Sequence, residues 1–158
     1  MRDGINKEVV EVARSYLDAP FSHHFSPHNL CQSGAITISS CMEQGLDAEG
    51  FDCSGLVIAS VCEVVGIQTK DWNPNYRHLE QFKSLESQQP PELGDILLFY
   101  PDMASKTRVL PHVGIRTVGE NVIHSSGKSG IVEEGQVEGR FEKIGAVPLL
   151  ELVRAGTY

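Results

Sequence analysis

The sequence predicts an α+β domain in which N-terminal helices pack on one antiparallel β-sheet. Two observations carry that prediction. Apolar residues recur at helical spacing as far as residue 86, and from Ile96 onward they fall in short β-branched or aromatic runs separated by Gly, Pro and Asn. Helices first and strands afterwards is the order of a chain that segregates its helices against one sheet. With 158 residues, 41% hydrophobic and 22% charged, the chain has material for one core and one site, so 1–158 reads as a single domain.

Each element has its own signal. Val9, Val10, Ala13 and Leu17 recur at helical spacing over 5–18, and Pro20 stops the pattern. Residues 22–50 are irregular and rich in His, Ser, Gly and Asn, with one helical turn expected near Ser40–Glu43. A stretch of that length reads as an insertion beside a site, and Gly34, Gly45 and Gly50 would let it move as a lid. Residues 53–65 form a second helix, with Asp52 placed to cap its start and Gly66 to end it. A third helix is expected over 76–86, where Leu79, Phe82 and Leu85 share a side. Strands are expected at Ile96–Tyr100, His112–Val118, Asn121–Ser125 and Phe141–Val147, and Leu149–Val153 adds a last strand or extends the one before it.

Charge and cysteine usage exclude several functions. The net charge is −8 and the basic residues are scattered, so no nucleic-acid-binding face is expected. No run of about 18 apolar residues is present to span a membrane. The start carries Arg2, Lys7, Glu8, Glu11 and Arg14 without an apolar stretch, so no signal peptide is expected. Synthesis in the cytoplasm follows, with a non-classical export route or lysis as the way out. Cys31, Cys41, Cys53 and Cys62 form no C-x-x-C pair, so no metal site is expected, although Cys31 and Cys41 remain open to a disulfide or a metal. No glycine-rich phosphate loop follows a strand, and no cofactor is implied.

The chemistry concentrates at Cys53. A cysteine in the first turn of a helix faces unpaired N–H groups and the positive end of the helix dipole, which favour its thiolate. The same N–H groups can receive a developing oxyanion. Cys62, mid-helix in an apolar run, fits a buried structural thiol instead. A thiol nucleophile needs a base, and the base needs an orienter. His112 opens one predicted strand and His124 lies near the end of the next. Their even separation allows both to share a sheet face, provided that the connecting loop keeps parity, as an odd-length loop does.

These residues fall into motifs. Gly50-Phe51-Asp52-Cys53-Ser54-Gly55-Leu56, Leu93-Gly94-Asp95-Ile96-Leu97, His112-Val113-Gly114-Ile115 and Val122-Ile123-His124-Ser125 resemble, in order and interval, those of the NlpC-like cell-wall cysteine peptidases. Gln81 is similar to a residue in the segment before the sheet. The resemblance implies a papain-like fold and hydrolysis through a thioester on Cys53, with His112 as base and then acid and His124 as its orienter. It implies a peptidoglycan stem peptide as substrate and partner, cut between γ-D-glutamate and a diamino acid. Asp52 and Ser54 match positions that bind the substrate's amino end, while a helix cap and a helix-start residue are the plain alternatives. An amidase, deamidase or acyltransferase acting on a non-wall substrate would use the same Cys–His pair. A cognate inhibitor protein would accompany the enzyme if it served as a toxin.

The chain also departs from the family pattern. A Pro-Tyr commonly precedes the nucleophile, and its hydroxyl serves the oxyanion. Here the match is Pro20-Phe21, with no hydroxyl. Backbone N–H groups must take that role, or Ser22, His23 or Tyr76 must supply a donor. His23, His24 and His28 read as exposed polar residues more readily than as ligands, and Lys106 and Arg108 as a solvated turn more readily than as a carboxylate contact.

Overall fold

The computed structural model describes residues 2–19, 53–76, 79–101, 112–126, 128–139 and 141–157. Four α-helices occur among them: α1 (Arg2–Ser15), α2 (Cys53–Val65), the single turn α3 (Leu79–Phe82) and α4 (Leu149–Thr157). Strands β1 (Ile96–Pro101), β2 (His112–Arg116), β3 (Asn121–Ser125), β4 (Val132–Gln136) and β5 (Phe141–Val147) form one sheet in the order β4-β3-β2-β1-β5. Every neighbouring pair is antiparallel. This is the expected α+β architecture, with α1, α2 and α4 packed on a five-stranded sheet.

α2 is the centre of the core. Leu56, Val57, Ile58 and Val61 are fully enclosed, so the helix is apolar on nearly every side. That composition suits a helix held between α1 on one side and β2 and β3 on the other. Each such side chain contributes roughly 2 kcal/mol of burial. Gly66 ends the helix at φ 78°, and the N–H groups of Gly66 and Ile67 both reach the Cys62 carbonyl, closing the last turn.

The sheet has two dissimilar faces. Ile96, Leu98, Val113, Ile115, Ile123 and Val147 alternate onto the helix side and join the main core. Leu97, Phe99, Val122 and Ala146 alternate onto the other side and form a smaller apolar cluster with Phe141 and Ile144. α1 secures the edge strand β4. Arg14 makes paired bonds of 3.0 and 3.1 Å to Glu134. The next residues bond to Val132 through Asp18 N–H to Val132 O (2.9 Å) and Val132 N–H to Ala19 O (2.8 Å).

Four expectations are corrected. Leu149–Val153 is not a strand but the start of α4, whose buried Leu149, Leu152 and Gly156 recur at helical spacing. Residues 76–86 do not form one helix. They break into a 3-10 turn at Pro74–Tyr76, the short α3 and a second 3-10 turn at Lys83–Leu85. The first helix runs over 2–15 and relaxes into a turn before Asp18, and β2 stops at Arg116 because the chain turns toward β3. β4 was not anticipated at all. The insertion at 22–50, Cys31 and Cys41, the three histidines within it, and Lys106 and Arg108 lie outside the described residues.

Leu93-Gly94-Asp95 ties three elements together. The buried Asp95 carboxylate accepts the N–H of Leu149 at 2.9 Å and that of Glu92 at 2.8 Å, and the Asn6 amide at 3.3 Å. It thus caps α4 from a distance, bends the chain into β1 and anchors α1. Gly94, at φ 81°, passes so close to the Asn6 backbone that no Cβ fits. Asp95→Ala would leave buried N–H groups without an acceptor, and urea unfolding should show a loss of about 3 kcal/mol, with Asp95→Asn recovering part of it.

Candidate active site

The β2–β3 hairpin positions the two histidines. Ile115 pairs with Ile123 and Arg116 with Val122. The Thr117 N–H then bonds to Asn121 O at 2.9 Å, which leaves Val118, Gly119 and Glu120 as the loop. Gly119 adopts φ 58°, as a tight loop of this kind requires. Three is an odd number, so parity is kept, and His112, Gly114, Val122 and His124 all project to the face away from the helices.

Gly114 makes room for this arrangement. A Cβ there would lie 2.7 Å from the Val122 side chain and 3.2 Å from the Cβ of His124. With that space open, His112 Nε2 meets His124 Nδ1 at 2.8 Å. The rings stand edge to face at 82°, with centroids 4.9 Å apart. Phe99 flanks His112 at 6.5 Å, and Phe141 packs on Phe99 at 5.1 Å.

Burial sets the electrostatics. His112 is pushed down to about 4, first by desolvation and then by its neighbour His124. His124, which is buried, is also lowered by desolvation, and the Glu133 carboxylate acts in the opposite direction. Both rings are therefore neutral near pH 7. When His112 Nε2 is the donor in that contact, the neutral ring has its lone pair on Nδ1, which is what a general base needs.

A cleft of about 530 Å³ opens against the pair, walled by Phe99, Phe141, Ser126 and Glu133. That size suits a small ligand or a peptide segment.

Cys53 is the first residue of α2, half-buried at the edge of the helix-side core, with Ser54 half-buried beside it. The structure brings His112 and His124 into direct contact. It places Cys53 on the helix that packs against the two strands bearing them. Cys62 is buried mid-helix. Tyr76 lies in a 3-10 turn packed on α4, and Gln81 is half-buried in α3. Asp52 falls outside the described residues, as do Phe21, Ser22 and His23.

The sequence profile of the NlpC/P60 family matches residues 42–145, about two thirds of the chain and all four motifs. The chain belongs to the NlpC/P60 family. Solved NlpC/P60 structures share the fold. NlpC1 and NlpC2 of Trichomonas vaginalis superpose with TM-scores of 0.59 and 0.61, both at 16% identity, over 90% and 92% of this chain. This chain spans less than half of their length, 42% and 46%. The peptidoglycan hydrolase RipB of Mycobacterium tuberculosis superposes with a TM-score of 0.60 at 22% identity, over 94% of this chain and 66% of its own. No curated protein matches the chain.

Glu133 was missed because the strand that holds it was missed. Val132-Glu133-Glu134-Gly135-Gln136 has little β propensity. The available signal was the turn-forming Lys128-Ser129-Gly130 after β3, followed by the β-branched pair Ile131-Val132.

Two outcomes test this geometry. An unfolded histidine takes up its proton near 6.5, the folded His112 only near about 4. The unfolded state therefore binds more protons between those values, and the contribution to stability is present above 6.5 and lost as pH falls toward 4. Thermal unfolding across this window should show a decline in wild type that is shallower in His112→Gln. Gly114→Ala should cost about 2 kcal/mol in urea unfolding by crowding Val122 and His124.

Proposed function

We propose that the protein is a cysteine hydrolase of peptidoglycan stem peptides, with Cys53 as nucleophile, His112 as base and then acid, and His124 as the orienter of His112. The observation that carries this reading is the 2.8 Å bond between His112 Nε2 and His124 Nδ1, made on the strands against which the Cys53 helix packs. With Nε2 as the donor in that bond, Nδ1 is the His112 nitrogen proposed to meet the thiol. His112 is the first residue of β2, so its ring stands at the end of the strand. Membership of the NlpC/P60 family, and the fold shared with a peptidoglycan hydrolase, support the substrate class. The bond we favour joins γ-D-glutamate to a diamino acid.

The proposed steps follow from these positions. His112 Nδ1 takes the thiol proton as Cys53 Sγ attacks the scissile carbonyl. The oxyanion is received by N–H groups at the start of α2, including that of Cys53. His112 returns the proton to the leaving amine, and a thioester remains on Cys53. Water, deprotonated by His112, then hydrolyses the thioester and restores the thiol. Asp52 and Ser54 flank the nucleophile in sequence and are proposed to receive the substrate's amino end.

Purified muropeptides incubated with wild type and with Cys53→Ala, and analysed by mass spectrometry, test the proposal. A new fragment produced by wild type alone is expected, and its mass identifies the bond. Absence of any fragment across the common wall chemotypes would overturn the substrate assignment in favour of a non-wall amide. Cys62→Ala should cleave as wild type does.

A further inference from the structure

A carboxylate stands behind the histidine pair. In the register of β3 and β4, Glu133 lies directly opposite His124, and both line the cleft. A Glu133 carboxylate oxygen is 3.5 Å from His124 Nε2. That nitrogen is enclosed and makes no hydrogen bond among the described residues, although buried polar atoms ordinarily have a partner. Its neighbour Glu134 points to the other face, onto Arg14, so the side-chain bonds that tie β4 to α1 do not involve the Glu133 carboxylate.

A base that takes a proton on His112 Nδ1 must already carry hydrogen on Nε2. That N–H donates to His124 Nδ1, which therefore bears none. A neutral imidazole has one N–H, so His124 carries its hydrogen on Nε2, facing Glu133. We infer that Glu133 is a positioning residue of the active site, whose carboxylate holds His124 in the Nε2–H tautomer and through it keeps His112 Nδ1 as the proton acceptor. The inference deepens the catalytic reading of His112 and rests on it. A small rotation of the half-exposed Glu133 side chain closes the gap to hydrogen-bond length. The same carboxylate offsets the positive charge that the enclosed pair acquires when His112 holds the thiol proton. The other charged groups lining the cleft, Lys128 and Glu138, pair with each other at its rim.

Long-range proton–nitrogen NMR of the histidine rings in the full chain, near neutral pH, reads the tautomers directly. Wild type should show His124 protonated on Nε2 and His112 unprotonated on Nδ1. Glu133→Ala should shift the His124 ratio about tenfold toward Nδ1–H, the loss expected for one hydrogen bond to a charged acceptor. Alkylation of Cys53 by iodoacetamide should slow in the same variant. Glu133→Gln, which keeps an acceptor at that place, should restore most of the wild-type ratio. Glu134→Ala, on the same strand but the other face, should leave it unchanged. A folded Glu133→Ala variant with the wild-type ratio would overturn the inference. None of these readouts requires muropeptide cleavage, so failure of the substrate assignment would leave them standing.

Discussion

The period-two alternation of a β-strand governs this protein's chemistry as well as its packing. Each strand must send one set of side chains into the helix-side core, which commits the other set to the opposite face. Val113, Ile115 and Ile123 hold the first position, and that choice places His112, Gly114 and His124 in the second. The three-residue loop between β2 and β3 links the two choices. A loop one residue longer or shorter would send His124 into the core and Ile123 into the cleft. The hydrophobic cost of exposing that isoleucine and burying an imidazole among aliphatic groups guards the register that brings the rings together.

The site is electrostatically spare. Desolvation dominates both histidines, so it is built around neutral imidazoles rather than a standing ion pair. The proposed acid–base cycle must then create positive charge in an enclosed place, and a carboxylate near the far ring eases that step. β4 supplies one from a position where acidic residues are already favoured. An edge strand with Glu133 and Glu134 resists pairing with another chain, and its two glutamates face opposite ways. One fastens the strand to α1 and the other faces the histidines.

The motifs that identify the family divide by physical role. Leu93-Gly94-Asp95 is structural. Its carboxylate satisfies the buried start of α4 and its glycine admits the α1 backbone. His112-Val113-Gly114-Ile115 is mixed, with two residues for the core, one for the ring and one glycine that clears space for the second ring. Cys53 begins a helix whose next turns are wholly core. The helix that anchors the fold is thus also the one that carries the thiol.

Local patterning by itself determined α2 over 53–65, the strands β3 and β5, and the pair of histidines that share a face if the loop is odd. Each depends on near neighbours in sequence: helical spacing, β-branched runs, a glycine at the turn. Tertiary structure decided the rest. β4 has weak strand character of its own and exists because β3 offers an edge, α1 offers Arg14, and the segment after α1 offers Asp18 and Ala19 to hold it. Leu149–Thr157 has helical spacing of its own, but its first N–H is capped by Asp95, far away in sequence. Glu133 faces His124 only through a register that two strands settle together. Periodicity records what a residue does with its own helix or strand, whereas a cap or a cross-strand partner comes from whichever segment the fold lays beside it.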